Sequence, residues 1–320
     1  MHAALSGLGW DQYGAMLVGG LLAMLLPLAF LLWDRRQRRL RKERPPQQEK
    51  LLRPAGHSLR LKVDELWERI TEHVVVGACA GAVLGATAPP ALRVFYLWLV
   101  GQVTASDILA SAKPGPLVGA GFLMAAAALG LARQVMVTLR DLHAVRDHEF
   151  GLRGEQAVGE ALNSPEVIRA GYVSFHDVPG AGNWNIDHVV VGPGGVFVLE
   201  TKTRAKRQAT NKLPEFEAEF DGRSLQFPWC YDDKAAAQTM RNADWVREYL
   251  AGFGPKDLVV QPVIVVPGWF VRSKGNYPVK AMNAKYLASS YLPSTGRRFT
   301  PDQLQAVNRR LDERCRTLEF

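Results

Sequence analysis

Asp187, Glu200 and Lys202 are the residues of this 320-residue chain whose types and spacing suit catalysis. They lie in Asn185–Lys202, NIDHVVVGPGGVFVLETK, where two β-branched runs flank Gly192-Pro193-Gly194-Gly195. That is turn chemistry between strand chemistry. Pairing Val191 with Val196 sets Asp187 opposite Glu200, and a two-residue or a four-residue turn gives the same register. Alternation places Asp187, Val189, Val191, Val196, Val198, Glu200 and Lys202 on one face, with Ile186, Val190, Phe197 and Leu199 on the other. Opposed carboxylates of this kind have Cβ atoms about 5 Å apart and repel each other. Because both faces are otherwise apolar, the sheet is expected to be buried and a cation is expected between the acids. Carboxylates holding one or two divalent ions can polarise a phosphoryl oxygen and generate hydroxide, which is the chemistry of phosphodiester hydrolysis. Lys202, on the face of Glu200, stands where a cation could orient the nucleophile or neutralise developing charge.

The elements that must position these groups begin at Gly151. Gly154–Leu162 reads as a helix with Val158 and Leu162 inward. Glu155 falls on that apolar stripe and needs a partner, whereas Glu160 points outward. A strand over Tyr172–Val178 and a loop over Gly180–Trp184 lead to the hairpin, and residues 203–231 read as irregular. Lys234–Leu250 reads as a helix with Ala236, Met240, Ala243 and Leu250 inward, and Gln238, Arg241 and Trp245 on a neighbouring face. Leu258–Val266 is an apolar strand closing on Pro267-Gly268-Trp269. A last helix, Pro301–Cys315, has Thr300 as N-cap and proline at its first position. The order is that of a mixed α/β sandwich. His188 faces away from Asp187 and is expected to be packed, and His176-Asp177 reads as an end-of-strand polar pair, with a second acid/base pair as the alternative. Trp184 could stack on a base or anchor its loop. Arg204, Lys206, Arg207 and Lys212 follow the acids closely; they suit phosphate contact or a solvated face.

The formal charge of +8 is not spread evenly. Residues 1–140 hold 16 basic and 9 acidic side chains, and residues 141–320 hold 23 and 22. The excess therefore belongs to the apolar half, where it speaks to membrane orientation more than to nucleic acid. Ala15–Trp33 is 19 residues without a charge, followed by seven basic residues between Arg35 and Arg44. Further apolar stretches cover 74–100 and 116–137. The stretch 74–100, interrupted by Pro89-Pro90 and Arg93, is either one kinked span or two half-segments. This pattern predicts three spans (15–33, 74–100, 116–137), a basic cytoplasmic linker over 34–73 and a C-terminal domain over 141–320. The expected location is a bacterial inner membrane, multi-pass, with the N-terminus outside, the C-terminal domain cytoplasmic and the lipid bilayer as a partner. Leu59, Val63, Leu66 and Ile70, with Trp67 beside them, read as a short amphipathic helix on the membrane or against the soluble domain. Cys79, Cys230 and Cys315 lack metal-ligand or disulfide spacing and read as unpaired thiols.

The segments Gly154-Glu155, Asn185-Ile186-Asp187-His188, Gly194–Val198, Glu200-Thr201-Lys202, Gln238 and Val263–Trp269 occur in an order that resembles the nuclease-related domain (NERD) family, a branch of the PD-(D/E)xK nucleases. The resemblance covers about residues 150–290. It implies a PD-(D/E)xK-like mixed sheet flanked by helices, here preceded by an all-α transmembrane region. It implies Mg²⁺ or Mn²⁺ on Glu155, Asp187 and Glu200 with help from the Thr201 carbonyl, and Lys202 and Gln238 completing the active site. Asp187 is preceded by Ile186, where the family motif has proline. The function so implied is a membrane-anchored, metal-dependent nuclease, acting on DNA in preference to RNA, with a homo-oligomer or a membrane partner protein left open. The rivals are a non-catalytic nucleic-acid-binding module and a protein scaffold, the latter consistent with the near-neutral charge of residues 141–320.

Overall fold

The computed structural model describes Trp33 and residues 50–99, 114–256 and 258–318, with the backbone course alone for 79–80, 82–99 and 114–124. In chain order the elements are β1 (Leu51–Leu52), α1 (His57–Leu99), α2 (Pro114–Leu162), α3 (Pro165–Arg169), β2 (Val173–Pro179), β3 (Asn185–Gly192) and β4 (Gly195–Thr201). There follow β5 (Glu217–Phe220), β6 (Leu225–Gln226), β7 (Tyr231–Asp232), α4 (Ala235–Tyr249), β8 (Val260–Val265), β9 (Phe270–Ser273) and β10 (Lys280–Met282). Last come α5 (Ala284–Tyr286), a π-helical turn at Leu287–Tyr291, α6 (Pro301–Cys315) and β11 (Arg316–Leu318).

The chain divides into two compact units, Met1–Arg44 with Glu65–Val145, and Pro45–Asp64 with Arg146–Phe320. In the first, Leu66, Ile70 and Val145 are buried among the described residues. Buried Asp141 sits 3.6 Å from His73 Nε2. The expected amphipathic helix is the opening of the much longer α1, with Val63, Leu66 and Ile70 buried and Leu61 and Trp67 exposed.

Among the described residues no helix is long and apolar enough to cross a membrane. This corrects the expected multi-pass, inner-membrane location and the expected all-α transmembrane region. The described side chains of α1 include Lys62, Asp64, Glu65, Glu68, Arg69 and Glu72, and those of α2 include Arg133, Arg140, Asp141 and Arg146. Such charges are costly in hydrocarbon. The expected span 15–33, Trp33 apart, and linker residues 34–49 lie outside the described residues, as do the side chains of 82–99 and 116–124.

The second unit is built on a five-stranded sheet ordered β10-β8-β4-β3-β2. β2, β3 and β4 run antiparallel, and β4, β8 and β10 run parallel. Val191 pairs with Val196 and His188 with Leu199, so the expected hairpin register holds, closed by the two-residue turn Pro193-Gly194. One face packs Val189, Val191, Val196 and Val198 under Ala243, Val246 and Leu250 of the α4 side and Val307 and Leu311 of α6. The other packs Val190, Phe197 and Leu199 against Val158 and Leu162 of α2. Each fully buried side chain of this size contributes about 1.5–3 kcal/mol, which is why strands apolar on both faces settle in the middle. Ile186 departs from expectation: it joins the cluster of Val189 and Val191 rather than that of Val190. It pairs with Val178, next to Asp177, whose φ of 48° breaks the regular pleat.

Residues 203–231 are not irregular throughout. β5, β6 and β7 lie there and join β9 in a four-stranded sheet ordered β7-β6-β5-β9. Its short strands cover a third cluster, Phe220, Leu225, Phe227 and Trp269 with Ala236 and Ile264. Strands this short, with β5 pairing in parallel to β9 fifty residues on, leave little local alternation to read. α6 begins as expected, with Thr300 and Gln303 forming a reciprocal capping box behind Pro301.

Candidate active site

Glu155 comes to the sheet because α2 abuts the end of β4. A Cβ at Gly154 would fall 1.7 Å from Thr203 Oγ1, so the approach requires glycine. Glu155 follows on the buried stripe of Val158 and Leu162, and Glu160 is exposed. At the far end of the hairpin, Asp187 Oδ2 accepts the Thr201 backbone N–H at 2.6 Å. Glu200 is buried, and its two oxygens are engaged separately. Oε1 meets Lys202 Nζ at 2.8 Å, and Oε2 accepts from Asn242 Nδ2 at 3.2 Å. Lys202 Nζ also donates to Gln238 Oε1 at 3.0 Å. Thus Glu155, Asp187, Glu200, Thr201, Lys202 and Gln238, scattered over more than eighty residues, share one end of the sheet.

The three carboxylates form one electrostatic group. Burial, then the charges of Asp177 and Glu200, raise the Glu155 carboxyl to about 7, against the pull of Lys62 and of the Gly56 backbone. Asp187 retains some solvent contact yet is surrounded by protein; burial, Glu200 and Glu155 push it well above the ordinary range, and the Thr201 amide and Lys202 offset part of this. Burial raises Glu200 too, opposed chiefly by Lys202. An acid cluster with too few cations offers the oxygen donors that a hard divalent ion prefers. Among the described residues, however, no group of three His, Cys, Asp or Glu side chains is arranged to hold a metal ion. The oxygen donors suit Mg²⁺ or Mn²⁺ in kind, while Glu200 is turned to Lys202 and Asn242.

Trp184 is half exposed and fastens its own loop. Its indole N–H reaches the Ala181 carbonyl at 3.1 Å, and its ring meets Trp245 edge-on at 5.5 Å. Arg314 lies over Trp245 at 5.7 Å and donates to the Pro179 and Gly180 carbonyls. The basic run is likewise fixed in place. Arg204 pairs with Asp232 at 2.8 Å, Arg207 lies 4.7 Å over Trp229, and Lys206 5.9 Å over Trp269. The indoles of Trp229 and Trp269 in turn hold the Ala205 and Arg204 carbonyls at 3.1 and 3.0 Å. Lys206, Arg207 and Lys212 are exposed. His188 is fully buried with its Nδ1 2.8 Å from His176 Nδ1, away from the acids. Burial lowers both imidazoles, His176 to about 4.

Asn242 escaped the sequence reading, and Asp177 was read there in a different role. Asn242 lies one helical turn after Gln238, a spacing that could have flagged it. Asp177 is not an end-of-strand polar residue beside His176. It is buried inside β2, held by Arg53 at 2.9 Å, and no local pattern signals that.

Residues 150–267 match the family model of the nuclease-related domain. No curated protein and no solved structure matches the chain.

Proposed function

We propose that this protein is a metal-dependent nuclease that hydrolyses phosphodiester bonds, with DNA preferred over RNA. The observation that carries the reading is the group of three mutually repelling carboxylates beside a lysine shared between Glu200 and Gln238. It stands within a segment matching a nuclease-related domain. Glu155, Asp187, Glu200 and the Thr201 carbonyl would hold Mg²⁺ or Mn²⁺. When bound, such an ion polarises a phosphoryl oxygen and lowers the pKa of an attacking water. Lys202, steered by Gln238, would orient that water or offset charge developing on the phosphoryl group. Gln238 and Asn242 hold their partners in single orientations, which limits the reorganisation needed at the reaction step. Arg204, Lys206 and Arg207 offer contacts to the phosphate backbone, and Trp184 offers a ring on which a base could stack.

The test is cleavage of plasmid DNA and of RNA by purified protein with Mn²⁺ and with EDTA. Cleavage should need the metal and vanish in Asp187→Ala and Lys202→Ala; full activity in both variants would overturn the reading. A second reading, non-catalytic nucleic-acid binding, is favoured by the engagement of both Glu200 oxygens. It requires salt-sensitive binding that persists in EDTA, without cleavage.

A further inference from the structure

The turn ahead of α1 reaches the acid cluster from nearly a hundred residues upstream. The Gly56 backbone lies close against the Glu155 carboxylate and favours its charged form. Gly56 has a φ of 75°, and a Cβ there would fall 2.3 Å from Leu152 Cδ1 and 3.7 Å from Glu155 Oε2. Only glycine lets the turn lie so close.

The same turn grips a second point. Asp177 is the one described residue other than glycine with a positive φ. Its Oδ2 accepts from Arg53 Nη1 at 2.9 Å and from Ser58 Oγ at 2.8 Å. Ser58 Oγ accepts from Asn185 Nδ2 at 2.5 Å, and Asn185 stands two residues before Asp187. Arg53 Nε is itself tied to Thr317 Oγ1 at 2.6 Å. A left-handed non-glycine residue inside a strand is strained and persists only where its surroundings impose it. Arg53 and Ser58 supply that constraint. All of these residues belong to the second unit. Arg53, Gly56 and Ser58 lie outside the matched segment 150–267.

We propose that Arg53–Ser58 is a positioning element of the acid site. Gly56 sets the Glu155 carboxylate, while Arg53 and Ser58, through Asp177 and Asn185, set the start of the strand that carries Asp187. Its consequence for catalysis rests on the nuclease reading; its geometry does not.

The experiment uses the full chain carrying Arg53→Met, Arg53→Lys or Ser58→Ala. Gly56→Ala is avoided because it would also collide with Leu152. Mn²⁺ affinity is measured by calorimetry at one pH above the range in which Glu155 titrates, and amide hydrogen exchange is followed across the sheet. Arg53→Met and Ser58→Ala should weaken Mn²⁺ binding roughly 10–100-fold, as loss of groups that orient metal ligands commonly does. Arg53→Lys should recover part of the loss, since it keeps charge but not the fork. Unchanged affinity in both variants overturns the proposal. If the unmodified protein takes up no Mn²⁺, the nuclease reading fails and exchange decides the positioning role. Amides 154–156 and 185–187 should then open faster in Arg53→Met while Val190 and Val198 keep their protection, and identical exchange overturns it.

Discussion

The β3–β4 hairpin has two unlike ends. Near the turn, Val190, Val191, Val196, Phe197 and Val198 are buried on both faces and form the middle of two clusters. At the open end, Glu200 is buried and Asp187 partly so, and their carboxylates disfavour one another. One end drives folding and the other strains it, in two strands sharing a single register. A protein keeps such an arrangement where the open end does something besides fold.

Removing mass from the apolar end should have the largest effect on stability. Phe197→Ala should lose about 3–5 kcal/mol in denaturant unfolding, while Asp187→Asn should lose none at neutral pH and cost on the order of a hundredfold in metal-supported cleavage. Equal destabilisation by the two variants would erase the contrast. Next comes pH. The Glu155 carboxyl, raised to about 7 in the fold, binds more protons folded than unfolded between about 4.5 and 7. Stability without metal should therefore fall as pH rises through that window, by on the order of 3 kcal/mol from this group. Comparing thermal melts of Glu155→Gln and the unmodified protein isolates the contribution from that of the buried histidines; parallel pH profiles would show that Glu155 is not perturbed. Asn242→Ala should be smaller, about 1–3 kcal/mol, from leaving one Glu200 oxygen unpartnered. Chemical denaturation measures it, and a null result would make Asn242 a bystander. Smallest are Lys206→Ala and Arg207→Ala. Each should lower the salt-dependence slope of nucleic-acid binding by about one, without changing sequence preference. An unaltered slope removes that loop from the interface.

The apolar end was legible because its signal is local. Alternation and a turn of one proline flanked by glycines determine which residues pair, from Gly192 with Gly195 to His188 with Leu199. The capping box at Thr300 is local in the same way. What escaped depends on contacts between distant segments: Arg53 reaching Asp177 across 124 positions, and β5 pairing with β9. The π-helical turn at Leu287–Tyr291 has no periodic signature either. The multi-pass reading was overturned for a different reason. Apolar composition was taken for spanning helices, yet no described helix is long and apolar enough to cross a membrane.

Cys315, last residue of α6, lies almost wholly inside the core beneath Val307 and Leu311. Burial pushes its thiol up to about 12, so hardly any nucleophilic sulfur exists at neutral pH. An alkylating reagent must wait for the C-terminal strand to lift. That strand holds Thr317, to which Arg53 is tied. The rate at which this cysteine is labelled would thus time the loosening of the grip on Asp177, with no substrate present.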